Sequence, residues 1–140
     1  MKIAIINGPN LNLLGSRETT VYGSQSFEHY LEALEKQFPH IDLEYFQSNI
    51  EGELITQIQQ VGFEFNGIVF NPGGYTHTSV ALGDCVAAIT TPVVEVHISN
   101  IYAREDFRKI SFISSKCKGT ISGLGLKGYE LAIKWLIENK

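Results

Sequence analysis

The stretch 71–79, NPGGYTHTS, carries more hydrogen-bonding side chains than a turn between a strand and a helix needs. It offers an amide at Asn71, an imidazole at His77, a phenol and three hydroxyls, with two glycines that let backbone approach a ligand closely. Downstream, VVEVHIS alternates, so Glu95, His97 and Ser99 share one side of an extended chain. A carboxylate two residues from an imidazole on one face can orient the ring and favour its protonated form, as general acid–base chemistry requires. The same pair also suits a structural ion pair at a strand end. His77, His97, Glu95 and Asp84 are metal-ligand types, but no HxxxH, HxH or CxxC spacing supports a metal site. Arg104 and Arg108, four apart in YAREDFRK, either bind a carboxylate or pair with Glu105 or Asp106.

A further candidate is the segment 7–25, long for a connection from strand to helix. Gly15 and Gly23 flank Arg17 and Tyr22. The segment reads either as a solvated loop or as a lid carrying a cation and a phenol over a site. In 71–79 itself, Thr78 or Ser79 is placed to cap the next helix, whose N-terminus would favour an anion. Capping leaves Asn71 and His77 unexplained. Asp84, further into that helix, has the ordinary reading of a solvated charge.

The elements that must carry these residues follow from periodicity. Short apolar runs at 2–6 (KIAII) and 67–70 (GIVF) read as buried strands, as do 41–48, 92–99 and a brief 119–123. Helical spacing recurs at 26–38, where Phe27, Tyr30, Leu31, Leu34 and Phe38 share a face. It recurs at 51–62, with Gly62 as the stop, and again at 79–90 and 128–139. Alternating strands and helices imply a parallel sheet with right-handed crossovers, α/β in class. Strands apolar on both faces imply helices on both sides. The expected fold is a flavodoxin-like, doubly wound five-stranded parallel sheet of order 2-1-3-4-5, in one domain spanning 1–140. A ligand then sits beyond the strands' carboxyl ends, between the first and third strands. Asn7, Asn10, Asn71, His77, His97, Ser99 and Asn100 all fall at those ends, while His29 and His40 fall on the surface of the first crossover.

Composition narrows the partners. A net charge of −4 argues against general nucleic-acid binding, which needs a basic face. No apolar run approaches the ~18 residues of a membrane span. Two cysteines without metal-ligand spacing fit a reducing cytoplasm better than a disulfide framework. A flavodoxin-like FMN carrier is the alternative to an enzyme, but it needs a hydroxyl- and glycine-rich first loop. NGPNLNLLG is rich in asparagine and leucine instead.

Five motifs in order, NGPNLNLLGSRE with VYG, QSN-EGELI, NPGGYTHTSVAL-D, EVHISNIYARE-FR and GLGLKGYELAI, strongly resemble the type II 3-dehydroquinate dehydratases. The resemblance covers 2–137 and carries the same flavodoxin-like fold. It implies loss of water from 3-dehydroquinate to give 3-dehydroshikimate in the shikimate pathway, without metal, nucleotide or Schiff base. Tyr22 matches the lid tyrosine that acts as base, His97 the general acid, and Arg17 the lid arginine. Asn10 matches the asparagine that holds a water near the enolate oxygen, and Glu95 the glutamate that supports the catalytic pair. Substrate-binding positions match Asn71, His77, Asp84, Ile98, Ser99 and Arg108, with the Ile98 and Ser99 amides as the carboxylate cradle. The implied assembly is a dodecamer, a tetramer of trimers, in which the matching aspartate reaches a neighbouring subunit's site. Departures from the commonest pattern are Gly83 for an arginine, Ile50 and Tyr102 for histidines, and Ser115 for a proline.

Overall fold

The computed structural model describes residues 1–16 and 25–140. Five parallel strands form one sheet in the order β2-β1-β3-β4-β5. They are β1 (Lys2–Asn7), β2 (Asp42–Gln47), β3 (Gly67–Asn71), β4 (Val93–His97) and β5 (Gly119–Ser122). The helices are α1 (Phe27–Gln37), α2 (Glu51–Val61), α3 (Val80–Ala88) and α4 (Lys127–Glu138).

The period-2 alternation of the central strands sorts the core into two layers. Ile3 and Ile5 of β1 and Val69 of β3 point to the side covered by α1 (Phe27, Leu34) and α4 (Tyr129, Ile133, Leu136). Ala4, Ile6, Ile68 and Phe70 point to the other side, against α2 (Leu54, Ile58, Val61) and α3 (Leu82, Val86). The central strands β3 and β4 are therefore buried throughout, whereas the edge strand β2 holds exposed and half-buried residues.

One crossover departs from the alternation expected of a doubly wound fold. Between β4 and β5 the chain forms three short 3-10 turns, Ile101–Ala103, Asp106–Lys109 and Ser114–Lys116, and no α-helix. Arg104 and Arg108 therefore do not share a helical face. The strands remain parallel, with Val94 opposite Gly119 and His97 opposite Ser122. The crossover packs tightly on α3: a Cβ added at Gly83 would lie 2.3 Å from the Phe112 carbonyl oxygen. Strand order reverses between β1 and β3, whose last residues, Asn7 and Asn71, are register partners.

Candidate active site

A cleft of about 140 Å³ opens at the strands' carboxyl ends beside that reversal. Pro9, Asn10, Leu11 and Leu14 from the first loop form one wall; Asn71, Gly73, Gly74 and His77 form another. His97, Ile98 and Ser99 close it from β4, with Arg104 and Arg108 at the crossover. Most residues flagged in the sequence thus converge; Glu95 lies beneath the cleft, and Asn7 and Asn100 do not line it. Asp84 is exposed on α3 and does not line the cleft. Arg17 and Tyr22 lie outside the described residues.

The run 71–79 divides into two devices. Gly73–His77 is a 3-10 turn, and Ser79 is the cap, accepting a hydrogen bond from the Leu82 N–H at 2.9 Å. His77 is held by its Nδ1, 2.7 Å from the Ile110 carbonyl oxygen. A carbonyl only accepts, so Nδ1 carries the hydrogen and Nε2 is left with its lone pair. Burial lowers the His77 pKa; the Ile110 carbonyl opposes this, and the charges of His97 and Arg108 add to it. His77 is thus biased towards a neutral ring that accepts from a ligand hydroxyl. Its ring stacks on that of His97, centroids 6.4 Å apart.

Glu95 is fully buried beneath the cleft and accepts from three side chains. These are His97 Nε2 at 2.6 Å, Ser114 Oγ at 2.5 Å and Thr76 Oγ1. Burial pushes its carboxyl pKa up, but the bonds from His97, Ser114 and Thr76 outweigh burial and bring it below the ordinary value. The group is an anion. It holds the His97 Nε2–H and leaves Nδ1 as the nitrogen that meets a ligand. A carboxylate fixed against the far side of the ring sets the tautomer and orientation of the imidazole.

Beyond His97 the backbone turns in a way that favours an anion. The His97 carbonyl accepts from the Gly123 N–H at 3.1 Å and the Ile98 carbonyl from the Gly125 N–H at 3.0 Å. Gly123 and Gly125 have φ of 87° and 60°, a region that strains other residues. Successive carbonyls in a strand point to opposite sides; these two point to the same loop. In trans peptides the following N–H groups are antiparallel to them, so the amides of Ile98 and Ser99 both face away from that loop. Two adjacent N–H groups on one side form an anion-binding concavity.

The cations flank it. Arg104 Nη1 donates to Ser99 Oγ at 3.3 Å. Arg108 pairs through Nε with Glu105 Oε2 and lies 5.0 Å from the Phe107 ring centroid, while Lys109 takes Asp106. Asn10 holds a left-handed φ of 70°, which asparagine tolerates, and its N–H donates to Asn49 Oδ1 at 3.0 Å. Among the described residues, no three His, Cys, Asp or Glu side chains converge as metal ligands do.

Sequence reasoning missed Thr76, Ser111 and Ser114, which complete the support of Glu95. Ser111 Oγ lies 2.6 Å from Thr76 Oγ1 and accepts from the Ile113 and Ser114 N–H groups. Thr76 stood inside a polar run and was there to be weighed. The serines lie 16 and 19 residues beyond Glu95, in a crossover with no periodicity, and gave no signal.

The model of the class II dehydroquinase family matches residues 1–137. A 3-dehydroquinate dehydratase of Fusobacterium nucleatum is 51% identical over 144 residues, covering 99% of this chain and 97% of the relative. The crystal structure of the type II dehydroquinase from Butyrivibrio crossotus superposes with a TM-score of 0.94 at 46% identity, covering 98% and 97%. That of the Propionibacterium acnes type II dehydroquinase gives 0.93 at 39%, covering 99% and 97%. With agreement of sequence and fold over nearly its whole length, the chain belongs to the class II dehydroquinases.

Proposed function

We propose that this dehydroquinase removes water from 3-dehydroquinate by anti elimination through an enolate, with Tyr22 as base and His97 as acid. The phenolate oxygen of Tyr22 takes the proton alpha to the ketone. The electron pair forms an enolate, whose oxygen is met by a water held at Asn10. Collapse of the enolate expels the β-hydroxyl, which leaves as water with the proton from His97 Nδ1. The product, 3-dehydroshikimate, is a conjugated enone.

The observation that carries the reading is the buried Glu95–His97 pair at the cleft, beside Ile98 and Ser99, which line it. The pair suits protonation of a leaving hydroxyl, and the Ile98 and Ser99 amides with Arg108 suit the substrate carboxylate. Neutral His77 and the Asn71 amide suit the ring hydroxyls. A phenol titrates near 10, so base action near neutral pH needs a shift of two to three units, about 3–4 kcal/mol. Arg17, always charged, is the lid group assigned to that shift. A first loop that presents Asn10, Leu11 and Leu14 to the cleft, rather than a run of hydroxyls, favours this chemistry over flavin binding. The reading includes a cytoplasmic dodecamer, a tetramer of trimers, in which Asp84 reaches a neighbour's cleft. In line with it, no helix among the described residues is long and apolar enough to cross a membrane.

The test is near-ultraviolet absorbance on adding 3-dehydroquinate to chelator-treated protein. A rise that persists in borohydride is expected, because no imine is there to be trapped. Inactivation by borohydride with substrate would end the imine-free route.

A further inference from the structure

We propose that Tyr129 of α4 is a positioning residue for this reaction: it fixes the Asn71 carboxamide so that an N–H, not the oxygen, is offered to the substrate. The proposal rests on the reading that Asn71 binds 3-dehydroquinate.

Asn7 and Asn71 end β1 and β3 as register partners. The period of two places Asn7 on the face of Ile3 and Ile5, and Asn71 on that of Val69, both beneath α4. Tyr129 reaches this point from the far end of the chain and is fully buried. Its hydroxyl lies 2.8 Å from Asn71 Nδ2 and 2.8 Å from Asn7 Oδ1.

The hydrogens in this chain are fixed from one end. The Gly73 N–H is a donor only and lies 3.1 Å from Asn71 Oδ1. That shows which way the Asn71 amide is turned; Gly73 holds its oxygen end and Tyr129 its nitrogen end. The phenol oxygen therefore accepts from Asn71, and its single hydrogen goes to Asn7 Oδ1. Burial drives the Tyr129 pKa far above the ordinary 10, against the lowering effect of the bond from Asn71, so the hydroxyl stays neutral and keeps this direction. One Nδ2 hydrogen of Asn71 is used on Tyr129; the other remains for the cleft that Asn71 lines.

The far end of the chain is buried as well. Asn7 is fully buried, and its side chain also acts on the buried Tyr45 hydroxyl. The Asn7 oxygen takes the Tyr129 hydrogen and so directs it away from Asn71.

Tyr129→Phe keeps the ring among its neighbours Phe27 and Tyr30 and removes only the oxygen. Steady-state kinetics should then show KM for 3-dehydroquinate raised about five- to tenfold, the worth of roughly one hydrogen bond, with kcat changed about twofold or less. In an Asn71→Ala background the same substitution should change KM no further. A purely structural Tyr129 would lower the melting temperature and leave KM alone, or raise KM equally in both backgrounds; either result overturns the proposal. If Asn71→Ala by itself leaves KM unchanged, the substrate-binding reading of Asn71 fails, and this proposal with it. If Asn71→Ala raises KM while folded Tyr129→Phe does not, only the positioning role fails. Should Tyr129→Phe not fold, Asn7→Ala tests the same chain: a smaller rise in KM, absent in the Asn71→Ala background, is expected, and an unchanged KM overturns the proposal.

Discussion

At the residue scale the site is built on one buried carboxylate. Glu95→Gln keeps the shape but replaces the carboxylate that orients the His97 ring. We expect kcat to fall by about 10²-fold, the lower range for acid–base assistance, with KM nearly unchanged. An unaltered kcat would show that His97 works without its partner. The same substitution has a pH signature. The folded pKa of Glu95 lies below the ordinary 4.5, so the unfolded chain takes up the proton more readily. The stability this confers is fully present above about pH 4.5 and is lost as pH falls through the depressed folded value. His77 acts in the same direction at higher pH: its folded value lies below 6.5, so its contribution declines from about pH 6.5 downwards. Melting curves should therefore fall in two stages on acidification, and Glu95→Gln should lessen the lower one, to which Glu130 and Glu105, also held below the ordinary 4.5 by their lysine and arginine partners, contribute the rest. A single unchanged acid limb in the variant would contradict the assignment. Tyr22→Phe, which cannot accept a proton, is expected to abolish turnover in a folded protein; turnover at the unmodified rate would end its role as base.

At the element scale, Gly83 shows why local propensity does not settle a site. Alanine is the better helix former by about 1 kcal/mol. Here the added Cβ would meet the Phe112 carbonyl at 2.3 Å, and backbone yields less readily than a side-chain tip. Gly83→Ala should therefore destabilise by about 1–3 kcal/mol despite its propensity, as overpacking does. A melting temperature at or above that of the unmodified chain would refute the close contact. Nothing in VALGDCVAAI announces this neighbour. What was legible followed from local period: the four helices and the five strands could be read because apolar residues recur at 3.6 or 2, and the strand order followed from the doubly wound topology that their alternation implies. The stop at Gly62 and a cap at Thr78 or Ser79 were legible for the same reason, being local. The crossover 98–118 was not, because its 3-10 turns have no amphipathic stripe and its contacts run to α3 and Glu95. Tyr129 was read only as part of a closing helix, since its partners lie 58 and 122 residues away. Asn71, His77 and His97 could be placed because strand ends point to one edge of such a sheet, whereas Asp84 lies outside its own chain's cleft.

At the scale of the whole molecule, the surface around α3 looks unfinished for a lone chain. Val80, one turn before Asp84 on the same helical face, is 56% exposed. Ile110 and Phe112, on the crossover that packs against Gly83, are 62% and 42% exposed. Single exposed apolar residues are ordinary, but on the proposed assembly these, near Asp84, would belong to the contact with the neighbouring subunit. On the proposed dodecamer, sedimentation should give a species of roughly 190 kDa, twelve chains of 15.6 kDa in closed symmetry. Ile110→Asp places a charge on this surface while leaving the backbone carbonyl that holds His77 intact. It is expected to shift the protein to smaller species and to lower kcat/KM in step, because each cleft would lose the carboxylate supplied from outside. Asp84→Ala should lower kcat/KM to a similar degree without changing the sedimentation. A stable, fully active monomer would overturn the shared site and leave each cleft complete within one chain.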